Sequence, residues 1–246
     1  MLTFKSVQHS AVISVMGLLG LFNAHSSQAV VINGDFENGF TGYNTIGDTI
    51  VHTGAYESSY GDGNSIALIS NTPGAEVDFT FSGNPTVSTA NLETFLGSSS
   101  GSFDAIATNT VIEGSAISQT FYGNANDILA FDFKFLTDED VFADYNNRPN
   151  GNFNDLAFFT LQLDDASAYV FQLADTFSSF SNSFTPFIYE TDELNISLSL
   201  SATGYYTIGF GVLDVGDESF ASSLLIDNVS LTSGEPVPEP ATLLLC

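Results

Sequence analysis

One alternating stretch near the middle of the chain constrains the fold more than any other feature. Every second side chain from Leu129 to Phe135 is apolar, while Asp132 and Lys134 fall between them. Such a period-two pattern predicts a β-strand that buries one face. A second apolar run follows at 156–163, after a long loop rich in Asp and Asn. We expect these two strands to pair as the central hairpin of the fold.

Shorter strand-like runs occupy most of the remaining chain. The run 115–122 alternates, for example, and places Ala116, Ser118 and Thr120 on one face. Beyond the N-terminal segment no long stretch has the apolar spacing of a helix, and Leu92–Leu96 is predicted as a short apolar turn. The pattern predicts an all-β, antiparallel two-sheet β-sandwich of jelly-roll type. The expected strands are 49–52, 64–70, 75–81, 115–122, 129–135, 156–163, 168–173, 194–200, 205–213 and 222–231.

Charged residues are sparse and almost all acidic. The 246 residues include 29 Asp and Glu against three Lys and Arg, which gives a formal net charge of −26. Such a surface cannot neutralise phosphates, and this argues against nucleic acid or an anionic membrane as a partner. It fits either a divalent cation or solubility outside the cell.

Cysteine and histidine are rare in this sequence. Cys246 is the single cysteine, so no disulfide can form within the chain, and His52 is the single histidine after residue 29. These absences exclude a Cys/His zinc cluster and a Cys-His nucleophile pair. A Ser-His-Asp triad would have to use His52, which lies in a strand-like run, and no G-x-S-x-G motif accompanies it.

The N-terminus has the layout of a secretory signal peptide. Lys5 supplies a positive charge, residues 11–22 form an apolar run, and Ser27 and Ala29 are small residues at −3 and −1. We expect cleavage after Ala29, export by the Sec pathway, and a single sandwich domain at 30–231. An uncleaved membrane anchor is the alternative.

The C-terminal residues 232–246 change composition to a proline-rich linker. Pro238, Glu239 and Pro240 precede a short leucine run at 243–245. This motif resembles the PEP-CTERM sorting signal of Gram-negative bacteria and cyanobacteria that produce exopolysaccharide. The resemblance implies recognition by an exosortase and a location at the cell surface or in the extracellular matrix. The family's transmembrane helix and basic cluster do not follow here, so we expect a membrane partner only if a C-terminal helix is missing from this sequence.

The body of the chain resembles sandwich domains that accompany such tails, in the segments FKFLTDED, NDLAFFTL and GYYTIGFGVLDVGDESFASSLLIDNVSL. The segments NGDFENGF and IDNV are similar to the two ends of jelly-roll carbohydrate-binding modules, where the first and last strands share a structural calcium ion. The resemblance implies that Asp35, Glu37 and Asp227 bind calcium. Asp35 and Glu37, two apart on an expected strand, would point to one side, and Asp227 would join them if the termini pair. A plain turn with carboxylates at strand ends is the alternative.

The acidic loop between the two central strands is a second candidate site. It contains Asp138, Asp140, Asp144 and Tyr145, followed by several asparagines. Carboxylates, amides and an aromatic ring are groups that recognise sugar hydroxyls, so we predict ligand binding there. The order of residues departs from an EF-hand, because Phe and Ala stand where a ligand and the glycine belong. A solvated acidic loop is the alternative.

These features together predict a secreted, non-enzymatic protein of the cell surface or of an extracellular polysaccharide matrix. A calcium-stabilised carbohydrate-binding module is the alternative. Because Trp is absent, Tyr43, Tyr56 and Tyr60 would be its stacking residues, unless they pack in the rim or core. A polysaccharide hydrolase, which needs two carboxylates about 5–9.5 Å apart, is the third possibility. Among 29 acidic residues such a pair is uninformative.

Overall fold

The computed structural model describes residues 30–53, 65–71, 82–139, 141, 153–216 and 219–234. Some predictions fall outside these ranges and stay predictions. They concern the signal peptide, the strand at 75–81, Asp140, Asp144, Tyr145, Tyr56, Tyr60, the sorting motif, and the linker from residue 235 onward.

The chain forms two antiparallel sheets, and the predicted all-β, two-sheet β-sandwich is confirmed. Sheet A consists of β1 (Asn44–Ile46), β4 (Val87–Ser88), β5 (Val111–Gly123), β7 (Leu156–Leu163), β8 (Tyr169–Asp175) and β12 (Gly204–Val215). Sheet B consists of β2 (Asp48–Thr53), β3 (Ser65–Ser70), β6 (Ile128–Thr137), β9 (Ser181–Asn182), β10 (Tyr189–Glu190), β11 (Leu194–Ser199) and β13 (Ser222–Thr232). The strand order is β1-β5-β12-β7-β8 in sheet A, with β4 also on β5. In sheet B it is β2-β3-β13-β6-β10-β9, with β11 also on β6.

The main core lies between the two sheets and is rich in phenylalanine. Phe131 of β6 packs edge to face against Phe210 of β12, with ring centroids 4.8 Å apart, and against Phe159 of β7 at 5.4 Å. Phe133 and Phe135 lie on the same face of β6 and are buried. Removing each such ring from water contributes roughly 1.5–3 kcal/mol. The alternating pattern of β6 therefore supplies the centre of the fold.

The predicted pairing of β6 with β7 is wrong. β6 lies in sheet B and pairs with β13, β10 and β11, whereas β7 lies in sheet A and pairs with β12 and β8. The two strands meet across the core, through Phe131 and Phe159. Alternation identifies the buried face of a strand and carries no information about its hydrogen-bonded neighbour. β7 instead forms a hairpin with the strand that follows it, β8.

The apolar turn expected at Leu92–Leu96 is part of an eight-residue helix, α1 (Thr89–Leu96). The helix ends at Gly97, whose left-handed conformation is a common helix terminator. Its apolar side chains join a second core on the outer face of sheet A, which contains Leu92, Leu96, Phe103, Phe158 and Leu213. Two helical turns offer too few apolar repeats for the sequence pattern to reveal them. Within the residues described, no helix has the length and apolar character needed to cross a membrane.

Candidate functional site

The outer face of sheet A is divided into a covered half and an open half. The covered half lies under α1 and depends on Gly209 of β12, where a Cβ atom would come within 2.4 Å of a Leu96 methyl carbon. A glycine at this position therefore allows the helix to approach the sheet. Beyond Gly209, toward the start of β12, the outward side chains lie in the open half.

Two cross-strand pairs form the open half. Tyr122 of β5 lies opposite Tyr205 of β12, with ring centroids 5.3 Å apart and ring planes at 73°. Thr120 lies opposite Thr207, and their hydroxyl oxygens are 2.7 Å apart. Gln162 of β7 lies opposite Thr207 on its other side. We call these five residues the tyrosine platform.

Both tyrosine rings of the platform are exposed, Tyr122 by 38% and Tyr205 by 62%. Their neighbours along the strands, Phe121 and Tyr206, point the opposite way and stack in the core with centroids 6.0 Å apart. Successive side chains of a strand point to opposite faces, so the same two strands carry one aromatic pair inside and another outside. The outer pair is therefore not part of the core.

A carboxylate lies at the strand end beside the platform. Asp164, between β7 and β8, accepts a hydrogen bond from the Tyr205 N–H at 3.0 Å through Oδ1. Its own N–H donates to the Tyr205 carbonyl at 2.7 Å. Asp164 has a φ of +49°, a left-handed conformation in which Asp is enriched. This turn fixes the backbone of Tyr205 and places a negative charge next to it.

The platform combines apolar rings with a few oriented polar groups on a sheet. A tyrosine presents an apolar ring and a polar tip, and a threonine hydroxyl can both donate and accept hydrogen bonds. Gln162 donates from Nε2 to the Ala166 carbonyl at 2.7 Å, which holds its amide in place. Binding sites typically combine apolar area with a small number of such polar groups. The arrangement suits a ligand with flat C–H faces and a rim of hydroxyl groups.

The N-terminal segment predicted to carry calcium ligands forms turns, so the prediction of a strand there is wrong. Phe36 has a φ of +53°, which interrupts the alternation of a strand, so Asp35 and Glu37 do not share a strand face. The Glu37 carboxylate accepts hydrogen bonds from Ser65, at 3.0 Å from its N–H and at 3.3 Å from its hydroxyl. Glu37 is thus engaged by the start of β3.

The two ends of the domain meet, as the calcium prediction requires. The Val229 N–H donates to the Gly34 carbonyl at 2.9 Å. Burial raises the pKa of the Tyr43 phenol well above its usual range, and the nearby carboxylates of Asp227 and Asp35 raise it further. Within the described residues the buried Tyr43 hydroxyl has no hydrogen-bond partner. Tyr43 is therefore a core residue, which agrees with the alternative that it packs in the core rather than stacking on a sugar.

An open cleft of about 720 Å³ lies between the N-terminal turns and the end of β13. Its lining is Val31, Ile32, Asn33, Gly34, Asp35, Asn38, Thr41, Asn228, Val229 and Ser230. Within the described ranges, no group of three or more His, Cys, Asp or Glu side chains is arranged to hold a metal ion. The assignment of Asp35, Glu37 and Asp227 to a calcium ion stays a prediction.

Of the acidic loop, residues 138, 139, 141 and 153–155 are described. Asp138 accepts a hydrogen bond from the Ile188 N–H at 2.7 Å through Oδ1, and its own N–H donates to the Ala221 carbonyl at 2.8 Å. Asp138 therefore joins two neighbouring loops. Its predicted role in ligand binding, together with the residues that follow it in the loop, stays a prediction.

Several polar side chains on the outer face of sheet B contact one another. The Lys134 Nζ atom lies 3.2 Å from Oε1 of Glu190, and both side chains are buried. Asp132 accepts hydrogen bonds from the side-chain amides of Asn195 at 2.7 Å and Asn228 at 2.8 Å. The buried Lys134–Glu190 pair therefore stabilises the fold, whereas Asp132 and Asn228 are half-buried and Asn195 is exposed.

Tyr122 and Tyr205 are not among the site residues predicted from the sequence. A signal for one of them is present, because the alternation that places Ala116, Ser118 and Thr120 on one face also places Tyr122 there. Tyr205 joins it only through the pairing of β5 with β12, a long-range contact that alternation does not specify.

No protein-family model and no curated protein matches this sequence. Among solved structures, the chain is similar to TmCBM61 in complex with β-1,4-galactotriose, with a TM-score of 0.42 and 12% identity, covering 83% of this chain and 97% of that one. It is similar to the K3 cleaved adhesin domain of Lys-gingipain from Porphyromonas gingivalis w83, with a TM-score of 0.36 and 13% identity, covering 83% and 99%. It is also similar to the enzymatically active domain of bacteriophage CBA120 tailspike protein 4, with a TM-score of 0.37 and 9% identity, covering 82% of this chain and 21% of that one. At these TM-scores the likenesses carry no argument about function.

Proposed function

We propose that this protein is a secreted, non-enzymatic β-sandwich that binds polysaccharide through the tyrosine platform. One observation carries the proposal, namely that the exposed Tyr122–Tyr205 ring pair lies beside the hydrogen-bonded Thr120–Thr207 hydroxyl pair. A pyranose has apolar C–H faces and a rim of hydroxyl groups. One sugar ring can therefore lie against the tyrosines while its hydroxyls exchange hydrogen bonds with the threonines.

The position of the platform in the sheet supports the same proposal. β5 and β12 are paired along the whole of β12, so the four side chains at their outer face are presented by regular strands rather than by loops. Groups held on rigid elements keep their geometry before the ligand arrives, and little ordering entropy is lost on binding. Such a surface suits a repeating polymer, which can place successive sugars across the sheet.

The two ends of the sequence support a location outside the cell. The signal-peptide pattern at 1–29 fits export by the Sec pathway, and the PEP-CTERM-like motif at 238–240 fits sorting by an exosortase to the cell surface or matrix. Mass spectrometry of protein recovered from the culture medium should find Val30 at the N-terminus. Protein retained in the cell with residues 1–29 intact would contradict export.

Affinity electrophoresis of the full-length chain tests glycan binding directly. Gels containing soluble galactan, xylan, mannan or β-glucan should retard the wild-type protein in at least one case. Tyr205→Ala and Tyr122→Ala should each weaken that binding at least tenfold, which corresponds to about 1.4 kcal/mol. Tyr169→Ala is the matched control, because Tyr169 is 72% exposed on β8 outside the platform. The proposal fails if no polysaccharide retards the protein, or if the control loses as much affinity as the platform variants.

A further inference from the structure

We infer that the tyrosine platform selects neutral polysaccharide chains and rejects chains that carry uronate or sulfate groups. The inference rests on the proposed function and adds the chemical class of the ligand. Two independent features of the molecule carry it. The first is the balance of hydrogen-bond donors and acceptors on the platform, and the second is the charge around it.

The donors that the platform retains are all neutral, namely the tyrosine hydroxyls, one threonine hydroxyl and one amide hydrogen of Gln162, and they stand beside a larger number of acceptor lone pairs. Thr120 and Thr207 are bonded to each other, 2.7 Å apart, and this mutual bond consumes a hydroxyl hydrogen. Gln162 commits an amide hydrogen to the Ala166 carbonyl, while its side-chain oxygen keeps its acceptor capacity. A sugar hydroxyl both donates and accepts, so it can complete this set. A carboxylate or sulfate oxygen only accepts, and it needs several donors that are best charged.

No cation is available on the described surface to meet an anionic sugar. Lys134 is the one Lys or Arg within the described residues, and it is buried in sheet B against Glu190. Asp164 lies at the Tyr205 N–H, and the exposed Asp165 follows it. The whole chain carries a formal net charge of −26. An anionic sugar on the platform would therefore meet repulsion and gain no charge-assisted hydrogen bond from the described part of the chain.

The salt concentration distinguishes charge repulsion from ring contacts and neutral hydrogen bonds. Repulsion between exposed charges is screened by ions, with a Debye length of about 10 Å at 0.1 M and about 3 Å at 1 M. Rejection of anionic chains should be strongest at low ionic strength and should weaken as salt is added. Binding of a neutral chain through ring contacts and hydroxyl groups should change little over the same range.

Matched polysaccharides that share a backbone provide the experiment. The pairs are hydroxyethylcellulose with carboxymethylcellulose, methyl-esterified with de-esterified homogalacturonan, and desulfated with native carrageenan. Affinity of the full-length chain for both members of each pair is measured in about 20 mM and about 0.5 M NaCl. We expect at least tenfold tighter binding to the neutral member at the lower salt, and a smaller difference at the higher salt.

A variant tests the cause of the selectivity. Asp165→Asn removes an exposed charge next to Asp164 and leaves the hydrogen bond from the Tyr205 N–H to Asp164 in place. It should raise the affinity for the anionic member severalfold at low salt and leave the neutral member unchanged. Equal binding of both members by the wild-type protein at low salt would overturn the selectivity and leave the proposed function standing. Binding to no member of any pair, and to none of the polysaccharides in the affinity gels, would instead contradict the proposed function itself.

Discussion

The outer faces of the two sheets use their polar side chains in opposite ways. On sheet B, Lys134 is buried against Glu190, and Asp132 is bound by Asn195 and Asn228. On sheet A, the tyrosine platform leaves its rings exposed. Alternating strands give both sheets outward polar residues. The residues that cover each face determine whether its polar side chains stabilise the fold or remain accessible to a ligand.

The cover on each face has an identifiable origin. On sheet B a third apolar cluster forms on the outer side, and it includes Ile66, Leu68, Leu136, Phe187 and Leu225. On sheet A, α1 and the segment after it cover one half and stop at Gly209. The tyrosine platform is the part of sheet A that this cover does not reach, and for this reason we propose it as the binding face.

Replacing Lys134 by Ala should produce the largest loss of stability among the changes proposed for the two faces. The variant leaves the Glu190 carboxylate buried without the ammonium group that now lies 3.2 Å away. Breaking a buried pair in this way typically costs about 3–5 kcal/mol. The double variant Lys134→Met with Glu190→Leu should recover most of that loss, since an apolar pair of similar volume often replaces a buried ion pair. Denaturant unfolding measures the stability of the single and the double variant. Equal destabilisation of the two variants would contradict the structural role of the pair.

Leu96→Ala tests the covered half of sheet A. Leu96 is buried in the second core, and a Leu→Ala change in a core costs about 2–5 kcal/mol through lost burial and the cavity that remains. Affinity for polysaccharide, measured on the folded protein, should stay within about twofold of wild type. A tenfold loss of affinity in the folded variant would show that the two halves of this face are coupled.

The strands of this fold could largely be predicted from the sequence, because the two-residue period of side chains is a local property. Runs such as 129–135, 194–200 and 222–231 alternate or are continuously apolar, and each overlaps a strand of the structure. The two-sheet class followed from the number of such runs and the turn residues between them. These inferences need no knowledge of which strands are neighbours.

The pairing of the strands and the candidate site could not be predicted in the same way. β6 and β7 bury their apolar faces against each other across the core. Two strands that face each other in this way have the same alternating sequence pattern as two strands paired in a hairpin. The N-terminal turns depend on left-handed backbone at Asn33 and Phe36, which an alternating pattern does not specify. The tyrosine platform needs both the register of β5 with β12 and the point where α1 stops. All of these are tertiary contacts.

Removing calcium tests whether the end of sheet B has a role beyond packing. An ion held by Asp35 and Asp227 would offset the two carboxylates that act on the buried Tyr43. Calcium at ten times its Kd would raise the free energy of unfolding by about 1.4 kcal/mol. In a domain of this size, a change of about 1 kcal/mol shifts Tm by about 2–4 °C. A chelator should therefore lower Tm by about 3–6 °C, and Asp35→Asn should remove that response.

Glu37→Gln tests the third predicted ligand in the calcium experiment. The Glu37 carboxylate accepts hydrogen bonds from Ser65. Because Glu37 is a predicted calcium ligand, its replacement should weaken the response to the chelator. Glycan affinity should be unchanged throughout, because the ion would lie on the other sheet. A Tm that does not respond to chelation would contradict the calcium prediction. It would not affect the comparison of the two faces.

Two neighbouring tyrosines of β12 give the closest contrast between a ligand surface and a core. Tyr205 is 62% exposed, and Tyr205→Ala should change the free energy of unfolding by no more than about 1 kcal/mol while reducing glycan affinity. Tyr206 is 2% exposed, and Tyr206→Ala should cost about 3–5 kcal/mol, as other large aromatic truncations in cores do. Thermal and denaturant unfolding compare the two variants. If Tyr205→Ala destabilised the protein as much as Tyr206→Ala, the platform would be a structural element like the buried Lys134–Glu190 pair rather than a surface for a polysaccharide.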